Sequence, residues 1–278
     1  MMHLFNEVSR ECSRITTERY STSFSSAINL LQKGLRPHIH NIYGFVRFAD
    51  EIVDTFHAFD KAALLGEFKK ETYSAIDRQI SLNPILHSFQ QTVNYYKIDL
   101  KLIDAFFYSM ELDLNKKQYD KNGYDQYIYG SAEVVGLMCL YIFCEGDRVQ
   151  YDQLKNYAQS LGAAFQKVNF LRDLKNDFEG LDRVYFPTCD FRNFTEADKL
   201  AIEEDIQRDF DNAYQGIIRL PVKAKFGVYV AYKYYLSLFR KIKKLPPQNI
   251  LEQRVRIPNY GKVMILAKAG LRSKLNLL

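Results

Sequence analysis

The sequence predicts an all-α protein, and three observations favour this class. Apolar residues seldom alternate with polar ones, as they would in half-buried strands. Residues that stabilise helices, such as Leu, Ala, Lys, Glu and Gln, are common, while Val and Thr are not clustered. The 13 Gly and 7 Pro of the 278 residues mostly separate stretches with helical periodicity. These stretches predict roughly eight to ten helices in one all-α domain over residues 1–278.

Short segments rich in proline or polar residues mark where the helices begin and end. The segments at 33–39 and 81–89 each place a proline near the first turn of a helix, where the missing N–H costs little. Asn122-Gly123 is a turn signal ahead of another helix. Thr195 stands three residues before Asp198, a spacing that indicates a capping box at a helix start.

Composition and charge exclude several classes of function. The net charge of +5 is mild and no nucleic-acid-binding signature is present, so no nucleic-acid partner is expected. The four cysteines lack a CxxC spacing, which favours a reducing cytoplasm. No apolar run approaches the roughly 20 residues of a membrane span, and the longest, at 134–144, predicts a buried helix. We therefore expect a cytoplasmic protein without a signal peptide.

The aromatic residues are unusually distributed: 20 Phe and 20 Tyr accompany no Trp. Two interpretations are open. The rings fill the core, or they line a cavity for a long apolar ligand, since such cavities are mostly apolar and aromatic.

A first polar stripe lies on the predicted helix YGFVRFADEIVDTF at 43–56. Tyr43, Arg47, Asp50 and Asp54 fall within about 60° of one another on a helical wheel, and apolar residues cover most of the remaining surface. A helix of this kind is buried, so the two carboxylates should face the interior or a cavity. The alternative is an exposed acidic strip in which Arg47 pairs with Asp50.

A second stripe with the same design lies at 164–187. Gln166, Asn169, Asp173 and Asp177 share one face of a helix that is otherwise largely apolar. Two such helices facing one another across a cavity would suit Mg²⁺, which accepts one or two carboxylates and completes its shell with water and phosphate oxygens. Three arginines could bind the other phosphate oxygens: Arg47, Arg172 and Arg183. The stripes thus indicate metal-assisted loss of a diphosphate.

Five motifs in order resemble the squalene/phytoene synthase family, all-α isoprenoid synthases, over nearly the whole chain. They are YSTSF at 20–24, RFADEIVD at 47–54, YIYGSAEVVGLM at 127–138, QKVNFLRDLKND at 166–177 and RVYFP at 183–187. The resemblance implies a single-domain isoprenoid-synthase helical bundle around a central apolar cavity. Two departures stand out. Glu133 occupies a position where the family usually has a small residue, and the segment from Asp177 to Arg183 is one residue longer than expected.

The resemblance implies a role for each matching residue. The metal ligands would be Asp50, Asp54, Asn169, Asp173 and Asp177. The two diphosphates would be bound by Ser21, Ser23, Tyr43, Arg47, Arg172, Arg183 and Tyr185. The catalytic residues would be Tyr127, Gln166, Arg47 and Arg172, with the first two beside the reacting carbons. The implied cofactor is Mg²⁺, which Mn²⁺ could replace.

The implied reaction is the head-to-head (1'-1) condensation of two geranylgeranyl diphosphate molecules to phytoene, through a cyclopropylcarbinyl diphosphate, in carotenoid biosynthesis. A farnesyl diphosphate-using squalene or dehydrosqualene synthase is the alternative, and only squalene would require NADPH. A more distant alternative is a non-catalytic assembly factor, although such homologues typically lose the aspartates that this chain keeps. No Glu-x-x-His pair supports a ferritin-like di-metal protein.

The last part of the chain, from Arg240 onward, is basic, with Glu252 as its one acidic residue. Two interpretations remain open, a solvated helix face and peripheral attachment to a membrane surface, because basic amphipathic helices are attracted to anionic lipid. Arg254 and Arg256 could also close over a diphosphate. The sequence does not decide the oligomeric state.

Overall fold

The computed structural model describes residues 2–115, 120–180, 186–187, 194–252 and 255–274. Within the helices, it leaves out the side chains at 115, 175–180, 251–252, 259 and 273–274. In chain order the helices are α1 (Met2–Tyr20), α2 (Thr22–Ile28), α3 (Arg36–Asp54), α4 (Lys61–Arg78), α5 (Pro84–Tyr96), α6 (Leu100–Asn115), α7 (Lys121–Ile128), a π-helix (Tyr129–Glu133), α8 (Val134–Phe143), α9 (Arg148–Gly180), α10 (Glu196–Ile217), α11 (Val222–Lys243), α12 (Pro247–Glu252) and α13 (Asn259–Lys274).

The all-α class is confirmed: the described residues form helices and no strand. Pro37 and Pro84 both stand in the first turn of a helix, α3 and α5, as predicted. The capping box is present, since Thr195 and Asp198 exchange side-chain and backbone hydrogen bonds at the start of α10. More helices form than the eight to ten expected, because short ones such as α2 and α12 lack a readable period.

The turn predicted at Asn122-Gly123 is wrong. Both residues belong to the first turn of α7, which begins at Lys121. Asp120 is the N-cap, and its carboxylate accepts a hydrogen bond of 2.7 Å from the Gly123 N–H. A strong capping residue just upstream therefore outweighs the preference of Asn-Gly for a turn.

Aromatic rings pack the core around Phe45, on the face of α3 away from its polar stripe. The Phe45 ring is fully buried and stacks on Phe89 of α5, with ring centroids 3.8 Å apart. Phe106 and Phe107 of α6 contact the same ring at 5.2 and 5.6 Å, and Phe68 of α4 completes the cluster. This cluster explains part of the aromatic surplus and fixes the rotation of α3.

A buried polar seam joins α5 to α1 and to α3, next to the Phe45 cluster. The hydroxyls of Ser13 and Ser88 are hydrogen-bonded at 2.7 Å, and Asn41 donates to Thr92 at 3.0 Å. All four side chains are buried. Since buried hydrogen bonds are satisfied only in one register, the seam fixes how far each helix slides along its neighbours.

The long helix α9 is anchored to α10 by a charged contact. The ammonium group of Lys167 is largely buried and pairs with Asp205 and Asp209, the latter at 2.7 Å. Loss of one partner would leave an uncompensated charge in the interior. These ion pairs therefore fix a side of α9 that lies about 100° around the helix from Gln166.

The apolar segment at 134–144 forms α8, a buried helix of ten residues, as predicted. In the described ranges, no helix combines the length and the apolar character that crossing a bilayer requires. One continuous hydrophobic core includes residues from α2 through α13.

Replacing the ring at the centre of this core should lower stability strongly. We expect Phe45→Ala to reduce the free energy of unfolding by about 3–5 kcal/mol, because the substitution leaves a cavity among four other rings. Urea unfolding followed by circular dichroism measures the change. Phe59→Ala, at a ring that is 68% exposed, is the matched control and should change stability little. Equal losses in the two variants would contradict this account of the core.

Candidate active site

A cavity of about 510 Å³ lies among α2, α3, the π-helix, α8, α9, α10 and α11. One end is polar. Of the residues predicted from the sequence, its wall contains Ser21, Tyr43, Arg47, Asp50, Gln166, Asn169 and Arg172. Most of the remaining wall is aliphatic or aromatic. The predicted cavity is thus present, and both polar stripes contribute to one end of it.

The polar stripe of α3 reaches the cavity through Tyr43, Arg47 and Asp50. Burial raises the pKa of the Tyr43 hydroxyl to about 12, so this group remains a hydrogen-bond donor at neutral pH. Asp54 is the last residue of α3 and is exposed, so the expectation of an interior position is wrong for this carboxylate. The helix ends at this residue.

Arg47 is held from two sides. Its guanidinium pairs with Glu51, one turn along α3, rather than with Asp50. It also lies over the ring of Tyr20, 4.3 Å from the ring centroid, a favourable cation–π geometry. Its Nε is buried without a partner among the described residues, which leaves a donor for an anion in the cavity.

Asp50 lies in a region with an excess of negative charge. Burial, and then the charge of Asp54, raise its pKa to about 7, and Asp113 adds to the rise while Arg47 opposes it. Asp54 and Arg47 lie on α3 itself, whereas Asp113 approaches from α6. A cation bound beside Asp50 would relieve this repulsion.

Asp113 was not identified from the sequence. It is buried, and its Oδ2 accepts a hydrogen bond of 3.3 Å from the Tyr127 hydroxyl. The segment ELDLN offers no periodic acidic pattern, so only the packing of α6 against α3 brings this carboxylate towards Asp50. Tyr127 itself is buried in the core rather than on the cavity wall, and its predicted catalytic role stays a prediction.

The polar stripe of α9 supplies the other side of the polar end. Arg172 donates to Asp173 at distances of 2.5 to 3.2 Å, so this arginine is oriented by its own neighbour. Asn169 has a buried Oδ1 without a partner among the described residues. Gln166 contacts the Ser131 hydroxyl weakly, at 3.5 Å.

Tyr235 of α11 is a second residue that the sequence did not reveal. It lines the cavity and stacks on Phe165, with ring centroids 3.9 Å apart. Burial raises the pKa of its hydroxyl, while Arg172 and a hydrogen bond with Asn169 lower it. Its ring therefore joins the aromatic wall to the polar end. In the sequence it is one tyrosine among several in AYKYYLSLF.

Asp54, Tyr127 and Asp173 do not line the cavity, and four further predicted residues are not found on its wall. Ser23 is half-buried and not on the cavity wall. Arg183 and Tyr185 lie outside the described residues, and Asp177 belongs to α9 but its side chain lies outside the description. Their predicted roles stay predictions.

A π-helix forms the wall at the third motif. The N–H of Val134 bonds to the carbonyl of Tyr129, five residues back, and Ser131 and Ala132 face the cavity. Glu133 is directed elsewhere: its carboxylate accepts a hydrogen bond of 2.9 Å from Gln159 of α9. The departure from the family pattern at Glu133 thus adds a tether between the π-helix and α9, and does not place a charge in the cavity.

Tyr157 lines the cavity towards its opposite, apolar end. About 22 Å of helix α9 separate this residue from Arg172, given 15 residues at 1.5 Å each. Its hydroxyl accepts a hydrogen bond of 3.2 Å from Arg219. Gly216 lies against the ring so closely that a Cβ there would be 2.2 Å from the Tyr157 Cβ. The ring is thus fixed from two sides.

The comparison with known proteins decides the family. The family model for squalene/phytoene synthases matches residues 17–261. The chain belongs to the squalene/phytoene synthase family. Its members are prenyltransferases and are known to use a divalent metal ion, and the chain is a prenyltransferase.

Individual relatives agree with this assignment. The phytoene synthase of Arthrospira platensis is 27% identical over 96% of this chain and 94% of its own. The 4,4'-diapophytoene synthase of Staphylococcus haemolyticus is 25% identical over 75% of this chain and 70% of its own. A crystal structure of a dehydrosqualene synthase superimposes with a TM-score of 0.82 at 18% identity, covering 97% of this chain and 98% of that chain. That likeness shows a shared fold.

The side chains at the polar end of this synthase fit a metal ion shared with a substrate. No group of three or more His, Cys, Asp or Glu side chains forms a metal centre among the described residues. Two features nevertheless favour a cation: the repulsion around Asp50 and the unpartnered Oδ1 of Asn169. Mg²⁺ needs only one or two protein carboxylates when phosphate oxygens and water supply the remaining ligands.

Metal and diphosphate together should stabilise the protein. We expect Mg²⁺ with inorganic diphosphate to raise the melting temperature by roughly 5 °C over a chelator-treated sample, since ligand at about 100 times its Kd adds about 2.7 kcal/mol. In Asp50→Asn and in Asn169→Leu this rise should be largely lost. Differential scanning calorimetry measures it. Asp77→Asn, at an exposed position of α4, is the control that keeps the rise. An undiminished rise in both site variants would refute the assignment.

Proposed function

We propose that the protein condenses two molecules of geranylgeranyl diphosphate head to head to give phytoene. The observation that carries the proposal is the shape of the cavity: a polar end with arginine, asparagine and carboxylate groups is followed by an apolar wall, and about 22 Å of α9 separate Arg172 at the polar end from Tyr157. This arrangement suits a diphosphate attached to a long hydrocarbon chain. The similarity to the phytoene synthase of Arthrospira platensis supports the same substrate.

In this reaction the polar residues would bind the diphosphate, and the apolar wall would surround the hydrocarbon chain. Arg47, with its unpartnered Nε, and Arg172, oriented by Asp173, would donate to diphosphate oxygens. Further contacts would come from Ser21, Ser23, Tyr43, Arg183 and Tyr185. Such charge-assisted hydrogen bonds stabilise the diphosphate as it leaves. The apolar wall excludes water from the carbocation, and aromatic faces such as that of Tyr235 stabilise positive charge.

The metal ligands in this proposal are Asp50, Asp54, Asn169, Asp173 and Asp177. Bound Mg²⁺, or Mn²⁺ in its place, would neutralise the negative charge that develops on the leaving diphosphate. Asp113 is close enough to influence Asp50 but is hydrogen-bonded to Tyr127, and we assign it to the support of Tyr127 and not to the metal. Tyr127 and Gln166 would orient the reacting carbons.

The two steps balance without an oxidant or a reductant. In the first, the C1–O bond of one substrate breaks, and the C2–C3 double bond of the second attacks C1. Loss of a proton closes a cyclopropane and leaves a cyclopropylcarbinyl diphosphate. In the second, that diphosphate departs, the cation rearranges, and loss of a further proton gives phytoene. Squalene would instead need a hydride from NADPH.

A farnesyl diphosphate-using enzyme is the second candidate. The similarity to the 4,4'-diapophytoene synthase of Staphylococcus haemolyticus favours this candidate. That similarity covers less of this chain than the similarity to the phytoene synthase of Arthrospira platensis does. The polar end would be the same in both cases. The two candidates differ only in how much of the apolar wall the substrate contacts.

Product analysis should separate the candidates. We expect the purified protein with Mg²⁺ to convert geranylgeranyl diphosphate to a C40 hydrocarbon, identified by mass in a hexane extract, and to do so without NADPH. Asp50→Ala and Asp173→Ala should remove the product while circular dichroism remains helical. A C30 product formed only from farnesyl diphosphate would favour the second candidate. No hydrocarbon from either substrate, with the fold intact, would favour a non-catalytic protein.

The ring of Tyr157 should limit substrate length. We expect Tyr157→Ala to increase turnover of a C25 prenyl diphosphate relative to the C20 substrate by about tenfold, because pocket size discriminates chains by about 1–3 kcal/mol per methylene. Competition between the two substrates, with products separated by mass, measures the ratio. Tyr157→Phe keeps the ring and loses only the contact with Arg219, so its ratio should stay near that of the wild type. An unchanged ratio in Tyr157→Ala would show that another residue limits length.

A further inference from the structure

The last described helix, α13, presents its apolar stripe to the outside. Tyr260, Val263, Met264, Ala267 and Leu271 follow the spacing i, i+3, i+4, i+7 and i+11 of a single helix face. In a globular protein such a stripe packs on the core. Here the side chains at positions 260, 263, 264 and 271 are 74%, 66%, 54% and 61% exposed. The buried Ala269, on the other side of the helix, faces α11 instead.

A cationic cleft lies beside this stripe, between α11 and α13. It encloses about 690 Å³ and is lined by Lys233, Arg240, Lys241, Lys268 and Arg272, with no acidic residue on its wall. The charge is a property of both helices. Six Lys or Arg residues belong to α11 and four to α13, and neither helix contains Asp or Glu.

The cleft cations are not neutralised within the described parts of the chain, where none of the five forms an ion pair. Lys241 donates to the carbonyl of Arg256 at 2.8 Å, and Arg272 donates to the Tyr229 hydroxyl at 3.3 Å. The Nζ of Lys233 lies 5.3 Å from the centroid of the Tyr229 ring. These contacts orient the side chains but leave their charge uncompensated, so the cleft attracts anions.

Stripe and cleft form one continuous surface, because Tyr260 and Met264 belong to both. Because the surface is both apolar and cationic, a partner must match both properties. A nucleic acid would match the charge but would not bury Val263 and Leu271. A second copy of the chain would match the apolar stripe but would bring its own cations against the cleft. A bilayer that contains anionic phospholipid satisfies both, since cations bind headgroup phosphates while apolar side chains enter the acyl boundary.

We propose that α13 and the cleft beside it are the surface with which this protein docks on a membrane containing anionic phospholipid. The orientation suits the chemistry at the cavity. Lys262, at the start of α13, donates to the hydroxyl of Thr22 at 3.3 Å, next to Ser21 on the cavity wall. The start of α13 therefore lies near the polar end of the cavity, while the stripe on its other face remains exposed. Only this orientation argument rests on the proposed hydrocarbon product, and the binding itself does not.

Co-sedimentation with vesicles tests the docking surface without any turnover. The full-length protein should bind vesicles of phosphatidylcholine with phosphatidylglycerol, bind pure phosphatidylcholine vesicles weakly, and detach as salt rises. Arg240→Gln with Lys268→Gln should lower the partition coefficient roughly tenfold or more, as two cations at an anionic surface are removed. Met264→Asp with Leu271→Asp should lower it similarly by removing the apolar contact.

Two matched controls separate a specific surface from general charge or hydrophobicity. Lys70→Gln with Lys101→Gln removes two exposed cations elsewhere, and Val222→Asp changes an exposed apolar residue outside the stripe. Both should bind like the wild type. Equal loss in the controls, or no loss in the α13 variants, would overturn the proposal. So would a dimer in size-exclusion chromatography that Met264→Asp with Leu271→Asp dissociates, if vesicle binding is absent.

Discussion

Repulsion between carboxylates is the constraint around which the site is organised. Asp50 is half-buried within the influence of Asp54 and Asp113, and its raised pKa records the free energy that burial, and then this proximity, cost. A fold can hold such a group only if the rest of α3 is fixed by other contacts. The Phe45 cluster and the hydrogen bonds of Asn41 and Ser13 supply that rigidity on the sides of the molecule away from the cavity. The site is thus preorganised by packing that does not touch it.

The cavity exists because several helices approach one another closely around it. At Gly162, a Cβ would lie 2.7 Å from the carbonyl oxygen of Ala132, so only glycine lets α9 lie against the π-helix. At Gly227, a Cβ would lie 2.8 Å from the carbonyl oxygen of Ala27, which brings α11 against α2. Both glycines line the cavity. Small residues therefore set the backbone geometry of the wall, and large side chains such as Tyr235 and Tyr157 then define its chemical character and length.

The sequence predicted what depends on local periodicity. The helical class, the proline positions, the Thr195 cap and the two polar stripes follow from residues within a turn or two of one another. Asp113 and Tyr235 could not be found in this way, because their positions depend on how α6 and α11 pack against distant helices. The exposure of the apolar stripe of α13 could not be predicted either, but for a different reason. Its spacing is that of a core helix, and only the folded chain reveals which side of α13 meets α11.

The π-helix determines which side chains of α8 line the cavity. A five-residue turn accommodates one residue more than the α-helical path would, so α7 and α8 are rotated relative to each other by about 100° compared with an uninterrupted helix. Deleting a single residue between Tyr129 and Glu133 would restore the regular helix and turn Val135 and Cys139 of α8 away from the cavity. The lining of one side thus depends on a one-residue insertion, and a change in chain length there acts on every side chain of α8 at once.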